Sequence, residues 1–496
     1  MVFRSIDSLK SALGAEMLVR AATPATLSGE VVIDSRKVVP GCVFIAIKGD
    51  RTDGHLYLRQ AAQGGASVLV VHDADAVPPA ASLGPDVTVM KVPNTAAALL
   101  RLAAAHRKTL ESTQVIAVGG SNGKTTTCRL LHAVLGDSLR GTASPKSFNN
   151  AIGVPLTILS ASKGDQFLIC EVGTNAPGEI APLAAVIEPD IAVITSIGRE
   201  HLEGLGSIEG VIAEESRLLH ALRPGGMAVV TADCPALLDA IAPLFSTKQP
   251  ASMGPQRTLL TFGRSDRAGL RVSDIEVTPD ATSFLLDGHD RHAVPMPGAH
   301  NACNAAAVVA VAHRLKLSPD AIHASLAKAT GPDMRMQRSV VAGVHFINDA
   351  YNANPDSTLA AIDTFRLAFA RGGGGTRRVL ILGDMLELGH DAPDLHREVG
   401  EAIAKAGCFD LVVLVGALAR NAASPLAAAA SSVRVECYPD AGPVHAATIA
   451  AGLQPGDVVL LKASRGTGLE RIIAAAGAGQ PLVEPRDTPT TSAAGA

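Results

Sequence analysis

The stretch from Gln114 to Thr125, Gln-Val-Ile-Ala-Val-Gly-Gly-Ser-Asn-Gly-Lys-Thr, carries the most chemical information in this chain. Its apolar run at 115–118 predicts a buried strand, broken by Gly119, Gly120 and Gly123. The chain then enters Lys124-Thr125-Thr126 and a helical pattern over 128–135. A strand feeding a glycine turn and then a helix start aims backbone N–H groups and a helix dipole at one point, where phosphate can sit. Lys124 would reach the terminal phosphates, and the Thr125 hydroxyl would bind Mg²⁺. The eight-residue form of this motif asks for glycine where Val118 stands. What remains is Gly120-Ser121-Asn122-Gly123-Lys124-Thr125. The alternative is a plain strand–turn–helix.

Two further strings place acids and imidazoles at strand ends. Cys170-Glu171-Val172-Gly173 closes an apolar run, where ligands collect in open α/β sheets. Glu171 is there either a metal ligand or a solvated strand-end acid. Ile197-Gly198-Arg199-Glu200-His201 follows the next apolar run, so His201 reaches the same sheet edge, as a ligand or as a hydrogen-bonded surface residue.

These residues need a scaffold, and 496 residues suffice for about three domains. A hydrophobic share of 47% with 18% charged residues describes a globular protein with ample core. The formal charge of −4, no basic run and no Trp exclude a nucleic-acid partner. Seven scattered cysteines without metal spacing fit a reducing cytoplasm. Residues 1–20 are amphipathic and lack an apolar signal core, and no run approaches a membrane span. Strands are expected at 31–34, 42–47, 67–71 and 87–92, with helices at 57–63 and 96–110. A regular alternation follows, with strands at 115–118, 167–172, 191–197 and 227–231, predicting a parallel sheet. A third block has strands at 378–382, 411–415 and 457–461. Residues 371–375 read as a loop, and residues beyond 481 as a disordered tail.

Taken together, Gly-Ser-Asn-Gly-Lys-Thr, Glu-Val-Gly-Thr-Asn (171–175) and His-Leu-Glu-Gly (201–204) resemble the central domain of the Mur ligases, ATP-dependent enzymes that form amide bonds in peptidoglycan precursors. Phe148-Asn149-Asn150, Asn348-Asp349-Ala350-Tyr351-Asn352-Ala353-Asn354-Pro355 and Gly383-Asp384-Met385-Leu386-Glu387-Leu388-Gly389 are similar to the branch that adds D-alanyl-D-alanine to UDP-N-acetylmuramoyl-tripeptide. Asp34-Ser35-Arg36 and Asp53-Gly54-His55 resemble that family's UDP-sugar domain. The resemblance runs from about residue 30 to 475. It implies an α/β fold of three domains: a small UDP-sugar-binding domain (1–112), a central parallel-sheet ATPase domain (113–331) and a Rossmann-like C-terminal ligase domain (332–480).

The resemblance also implies roles. Lys124 would contact the transferred phosphate, Thr125 and Glu171 one Mg²⁺, and His201 a second. Gly120 to Thr126, Asn301, Asn304, Arg335 and Asp349 would hold ATP. Ser35 and Arg36 would touch the uridine nucleotide, while Asn149, Asn150, Tyr351, Asn352, Asn354, Lys462 and Arg465 would face substrate. A cytoplasmic monomer is expected.

Two positions depart from the pattern. The family's Gly-Arg before the third domain is Met334-Arg335 here. The family's carbamylated lysine falls at Glu215, which already carries a carboxylate. Glu215 either supplies the same negative charge near the second Mg²⁺ without CO₂, or is an ordinary helix-surface acid. Rival readings are a sister ligase using another amine, and a nucleotide-binding protein without catalysis.

Overall fold

The computed structural model describes residues 5–22, 27–49, 52–246, 256–369, 376–429 and 433–478. The loop expected at 371–375 and the tail expected beyond 481 lie outside them. The chain forms two compact units, one of residues 1–332 with 387–389, the other of 333–386 with 390–496.

In the first unit, helix Ile6–Leu13 starts from a Ser5 capping box and ends at Gly14, whose φ of 60° suits glycine. Its Leu9 and Leu13, one turn apart, are fully buried. Strand Glu16–Val19 follows and runs antiparallel to Thr88–Lys91 at the edge of a sheet that continues, in parallel, through Val68–Val71, Val43–Ile45 and Val31–Val32.

Helix Thr95–Arg107, capped by the Asn94 side chain, joins this sheet to the next. Its Leu99 and Leu102 share one apolar cluster with Val43, Val70 and Met90 on one side and Val115, Ile158 and Leu183 on the other. Residue 112 therefore separates two sheets, not two cores.

Among the described residues, the central sheet has nine strands. From one edge they are Asp290–Val294, Thr282–Leu286, Leu270–Val277, Thr258–Gly263, Met227–Thr231, Ile191–Ile194, Gln114–Gly119, Phe167–Glu171 and Gly141–Ala143. The seven from Leu270–Val277 onward pair in parallel. Both faces of Gln114–Gly119 are covered, which explains its unbroken apolar run. Val115 and Ala117 pack in the cluster containing Ile158 and Leu183. Ile116 and Val118 pack in the cluster containing Leu130, Leu131, Ala305 and Val308. The antiparallel extension through Thr282–Leu286 and Asp290–Val294 was not foreseen from the sequence. Its first strand buries alternate residues, Thr282, Phe284 and Leu286, so it lacks a continuous apolar signal.

The second unit has a sheet ordered Gln337–Val341, Val344–Asp349, Val458–Lys462, Arg378–Gly383, Leu411–Val415 and Arg434–Tyr438. Only the first pair is antiparallel, giving the expected Rossmann-like α/β arrangement. Val344–Asp349 and Val458–Lys462 end side by side, with Asp349 opposite Lys462 in the register.

Candidate active site

Gln114–Gly119 lies between Phe167–Glu171 and Ile191–Ile194, all parallel, so the three strands deliver their C-terminal residues to one edge. The loop beyond Gly119 needs glycine twice. Gly120 has φ 110°, and a Cβ there would lie 2.5 Å from the Thr195 hydroxyl. Gly123 has φ 89° and the Asn304 side chain sits directly against it. Helix Lys124–Gly136 starts immediately after.

The loop's own amides are turned back onto the protein. Gly120 N–H donates to Glu215 Oε2 (2.7 Å), Ser121 N–H to the Ser196 carbonyl (2.8 Å) and Asn122 N–H to Ser196 Oγ (2.8 Å). Helix Lys124–Gly136 begins with no side-chain cap at Gly123, and a helix N-terminus of this kind favours an anion. Lys124 Nζ donates to the carbonyls of Gly120 (2.5 Å) and Ser121 (3.0 Å) and reaches Glu200 Oε1 at 3.4 Å.

Beside the lysine, two hard oxygen donors converge. Thr125 Oγ1 lies 3.1 Å from Glu171 Oε1 and 3.1 Å from Ser147 Oγ. Asn149 Nδ2 donates to the same Glu171 oxygen at 3.0 Å. Both Thr125 and Glu171 are buried. A hydroxyl and a carboxylate at this separation fit Mg²⁺, which takes few protein ligands and completes its shell with phosphate oxygens and water. Among the described residues no cluster of three or more His, Cys, Asp or Glu could hold a metal alone. His201 sits in the left-handed region (φ 50°) at the start of the short helix Leu202–Leu205. Burial, reinforced by Lys124, lowers its pKa, favouring the neutral imidazole that can ligate a metal.

Two buried acids flank the lysine. Glu215, the last residue of helix Ile208–Glu215, is fully buried. The helix-surface alternative for it is thereby removed. Burial raises its pKa, while Lys124 and the Gly120 N–H pull it down. Its Oε1 has no hydrogen-bond partner among the described residues. Glu200 is also buried, and burial pushes its carboxyl up to about 8 against the pull of Lys124. Sequence reasoning gave Glu200 and Ser147 no role; adjacency to His201 was the one signal for Glu200.

The structure brings Asn304 to the loop. Asn301 supports it, with Asn304 Nδ2 donating to Asn301 Oδ1 (3.3 Å) and Asn301 Nδ2 to the Pro297 carbonyl (2.9 Å). Asn150 Oδ1 accepts from Ile152 N–H (3.1 Å) and from Gly153 N–H (2.9 Å), at the start of helix Gly153–Ser160. In the N-terminal sheet region, Ser35 Oγ donates to Gln60 Oε1 (3.0 Å), and exposed Arg36 pairs with Asp34 (2.8 Å). That guanidinium holds the Asp34 carboxyl down at about 2.

The second unit gathers its own group. Lys462 Nζ lies 2.8 Å from Asp349 Oδ2 and donates to the Asn352 carbonyl (2.9 Å). Asp349 Oδ1 accepts the Met336 N–H (3.1 Å), and Arg335 stacks over the Tyr351 ring at 4.7 Å. Arg465, in the turn Arg465–Thr467, is within 3.6 Å of Glu470. Asn354 caps helix Pro355–Ala368, accepting from Ser357 N–H at 2.8 Å.

Three family models match in succession: "Mur ligase family, catalytic domain" over residues 29–107, "Mur ligase middle domain" over 118–312 and "Mur ligase, glutamate ligase domain" over 334–465. The UDP-N-acetylmuramoyl-tripeptide--D-alanyl-D-alanine ligase of Bacillus subtilis (strain 168) is 34% identical over 446 residues, covering 89% of this chain and 92% of that protein. The chain belongs to the Mur ligase family. The Escherichia coli (strain K12) protein of the same name is 32% identical, covering 78% of this Mur ligase and 81% of its relative. A crystal structure of MurF from Acinetobacter baumannii superposes with TM-score 0.80 at 27% identity, covering 95% of this chain and 98% of that one. MurF from Thermotoga maritima in complex with ADP gives TM-score 0.73 at 25% identity, covering 90% and 97%.

Met334, where the resemblance implied glycine, has φ 56°, in the left-handed region that favours glycine.

Proposed function

We propose that this Mur ligase joins D-alanyl-D-alanine to UDP-N-acetylmuramoyl-tripeptide in peptidoglycan precursor synthesis, cleaving ATP to ADP and phosphate. The observation that carries the reading is the convergence of Thr125 and Glu171 (3.1 Å) beside Lys124 at the glycine loop. The relatives' names supply the substrates.

A carboxylate is a poor acyl donor. In this reading the tripeptide carboxylate attacks the γ-phosphorus of ATP, the bond to the β-γ bridging oxygen breaks, and ADP leaves. The D-alanyl-D-alanine amine then adds to the acyl phosphate through a tetrahedral intermediate, which expels inorganic phosphate. Negative charge builds up in both steps, and Lys124 is the protein cation on the loop that offsets it. Mg²⁺, held by Thr125 and Glu171 with His201 reserved for a second ion, would neutralise phosphate charge. Asn149 orients the Glu171 carboxylate through its 3.0 Å hydrogen bond. Asn301 and Asn304 contact the nucleotide, and Ser35 and Arg36 the uridine end. Arg335, Asp349, Lys462 and Arg465 keep the phosphate, ribose and substrate roles of their family positions, with Tyr351 and Asn352 beside them.

In this reading the enzyme works as a monomer in the cytoplasm, where its nucleotide substrates are at hand. Among the described residues no helix is long and apolar enough to cross a membrane. The test is phosphate release from ATP that requires both the UDP-tripeptide and D-alanyl-D-alanine. Release with neither present would leave a plain ATPase, and release with a different amine would indicate a sister ligase.

A further inference from the structure

We infer that Glu215 is a positioning residue of the nucleotide site, holding the phosphate loop by the Gly120 N–H and, through Gly120, the ammonium of Lys124. The inference rests on the reading of that loop as the ATP site.

The connection is continuous. Glu215 Oε2 accepts Gly120 N–H at 2.7 Å, and the carbonyl of the same glycine accepts from Lys124 Nζ at 2.5 Å. Gly120 thus lies between a carboxylate from a helix 95 residues away in sequence and the cation that meets phosphate. At 2.7 Å the Gly120 N–H bond is at the short end of the N–H···O range, so the side-chain oxygen fixes the amide in both position and direction. The contact is also tightly fitted. A Cβ on Gly119 would lie 2.8 Å from Glu215 Oε2 and 3.1 Å from Leu218 Cδ2, so the missing side chain is what admits the carboxylate. The next two amides, of Ser121 and Asn122, are tied to Ser196, so three successive N–H groups are pinned before the helix begins.

This role differs from supplying charge to a cation. A clamp needs an acceptor oxygen of the right length, which glutamine also has. A counter-charge needs the carboxylate itself. Three variants separate the two. Glu215→Ala should lower kcat about 10- to 100-fold, the order expected for a reacting group displaced by a fraction of an ångström to an ångström, with a smaller change in the KM for ATP. Glu215→Gln should stay within about threefold of wild type, with an unchanged Mg²⁺ concentration for half-activation, because its amide oxygen accepts the same N–H. Gly119→Ala, which drives a methyl into Oε2 while leaving Glu215 in place, should reproduce the kcat loss of Glu215→Ala.

The inference is overturned if Glu215→Gln is as impaired as Glu215→Ala or needs more Mg²⁺, since the charge would then be what matters. It is equally overturned if folded Glu215→Ala, or Gly119→Ala, turns over like wild type. Should Glu215→Ala fail to fold, the other two variants decide. A wild-type enzyme that consumes no ATP with both substrates present would instead sink the functional reading.

Discussion

The Thr125 hydroxyl stands 3.1 Å from Glu171 Oε1, although 46 residues separate them in sequence. Adjacent parallel strands make this contact: Gln114–Gly119 leads through the glycine loop into the helix that carries Thr125, and Phe167–Glu171 ends on the acid. If the pair holds Mg²⁺, Thr125→Val should raise the Mg²⁺ concentration for half-activation and lower turnover by roughly 10²-fold or more, as for loss of one preorganised charge-stabilising group. Magnesium titrations of both proteins check this. Superimposable curves would remove the cation from this pair.

Lys124→Ala should fold normally and lose on the order of 10³ or more in turnover, because the loop's cation at the transferred phosphoryl group is gone. Steady-state phosphate release, with circular dichroism as the folding control, measures both halves of the statement. A folded variant at near wild-type rate would refute the phosphate-loop assignment.

The sequence made the loop, Glu171 and His201 legible because each follows an apolar run that both sheet faces cover. Strands expected at 227–231 and 411–415 appear with those bounds, and that expected at 167–172 ends one residue sooner, at Glu171. What stayed hidden depends on distant pairing. Nothing local to Glu215 tells that its carboxylate meets Gly120, and nothing local to Asn354 separates a substrate contact from a helix cap. The hairpin strands of 282–294 were missed because half their residues face outward, and Glu16–Val19 because a four-residue edge strand leaves little periodic signal.

Asn354→Ala should reduce stability by about 1 kcal/mol, since its side chain accepts the Ser357 N–H in a capping box. Denaturant midpoints check the loss. If instead stability holds and only substrate KM rises, the residue serves the ligand rather than the helix.

His396 supplies a pH dependence. Its ring is fully buried, Nδ1 donating to the Ala392 carbonyl (2.6 Å) and Nε2 accepting the Met385 N–H (3.0 Å), and burial lowers its pKa. Below about 6.5 the unfolded chain takes up a proton that the folded chain refuses, so stability is present above that value and is lost as pH falls. His396→Gln, which keeps an acceptor but does not titrate, should weaken the decline between pH 7.5 and 5.5. An unchanged slope in urea midpoints would assign it to other groups.

Turnover should not depend on bicarbonate. A lysine carbamate needs dissolved CO₂ and a neutral amine, whereas position 215 carries glutamate. Rates in degassed buffer should match those with bicarbonate added. Strong stimulation would mean that a lysine elsewhere is carbamylated.

Mass spectrometry of the product from UDP-N-acetylmuramoyl-tripeptide, ATP and D-alanyl-D-alanine shows which bond the enzyme makes. The account predicts a single new species heavier than the UDP-tripeptide by the dipeptide less one water, formed in step with ADP and phosphate. ATP hydrolysed without that species, or no ATP consumed at all, would contradict it.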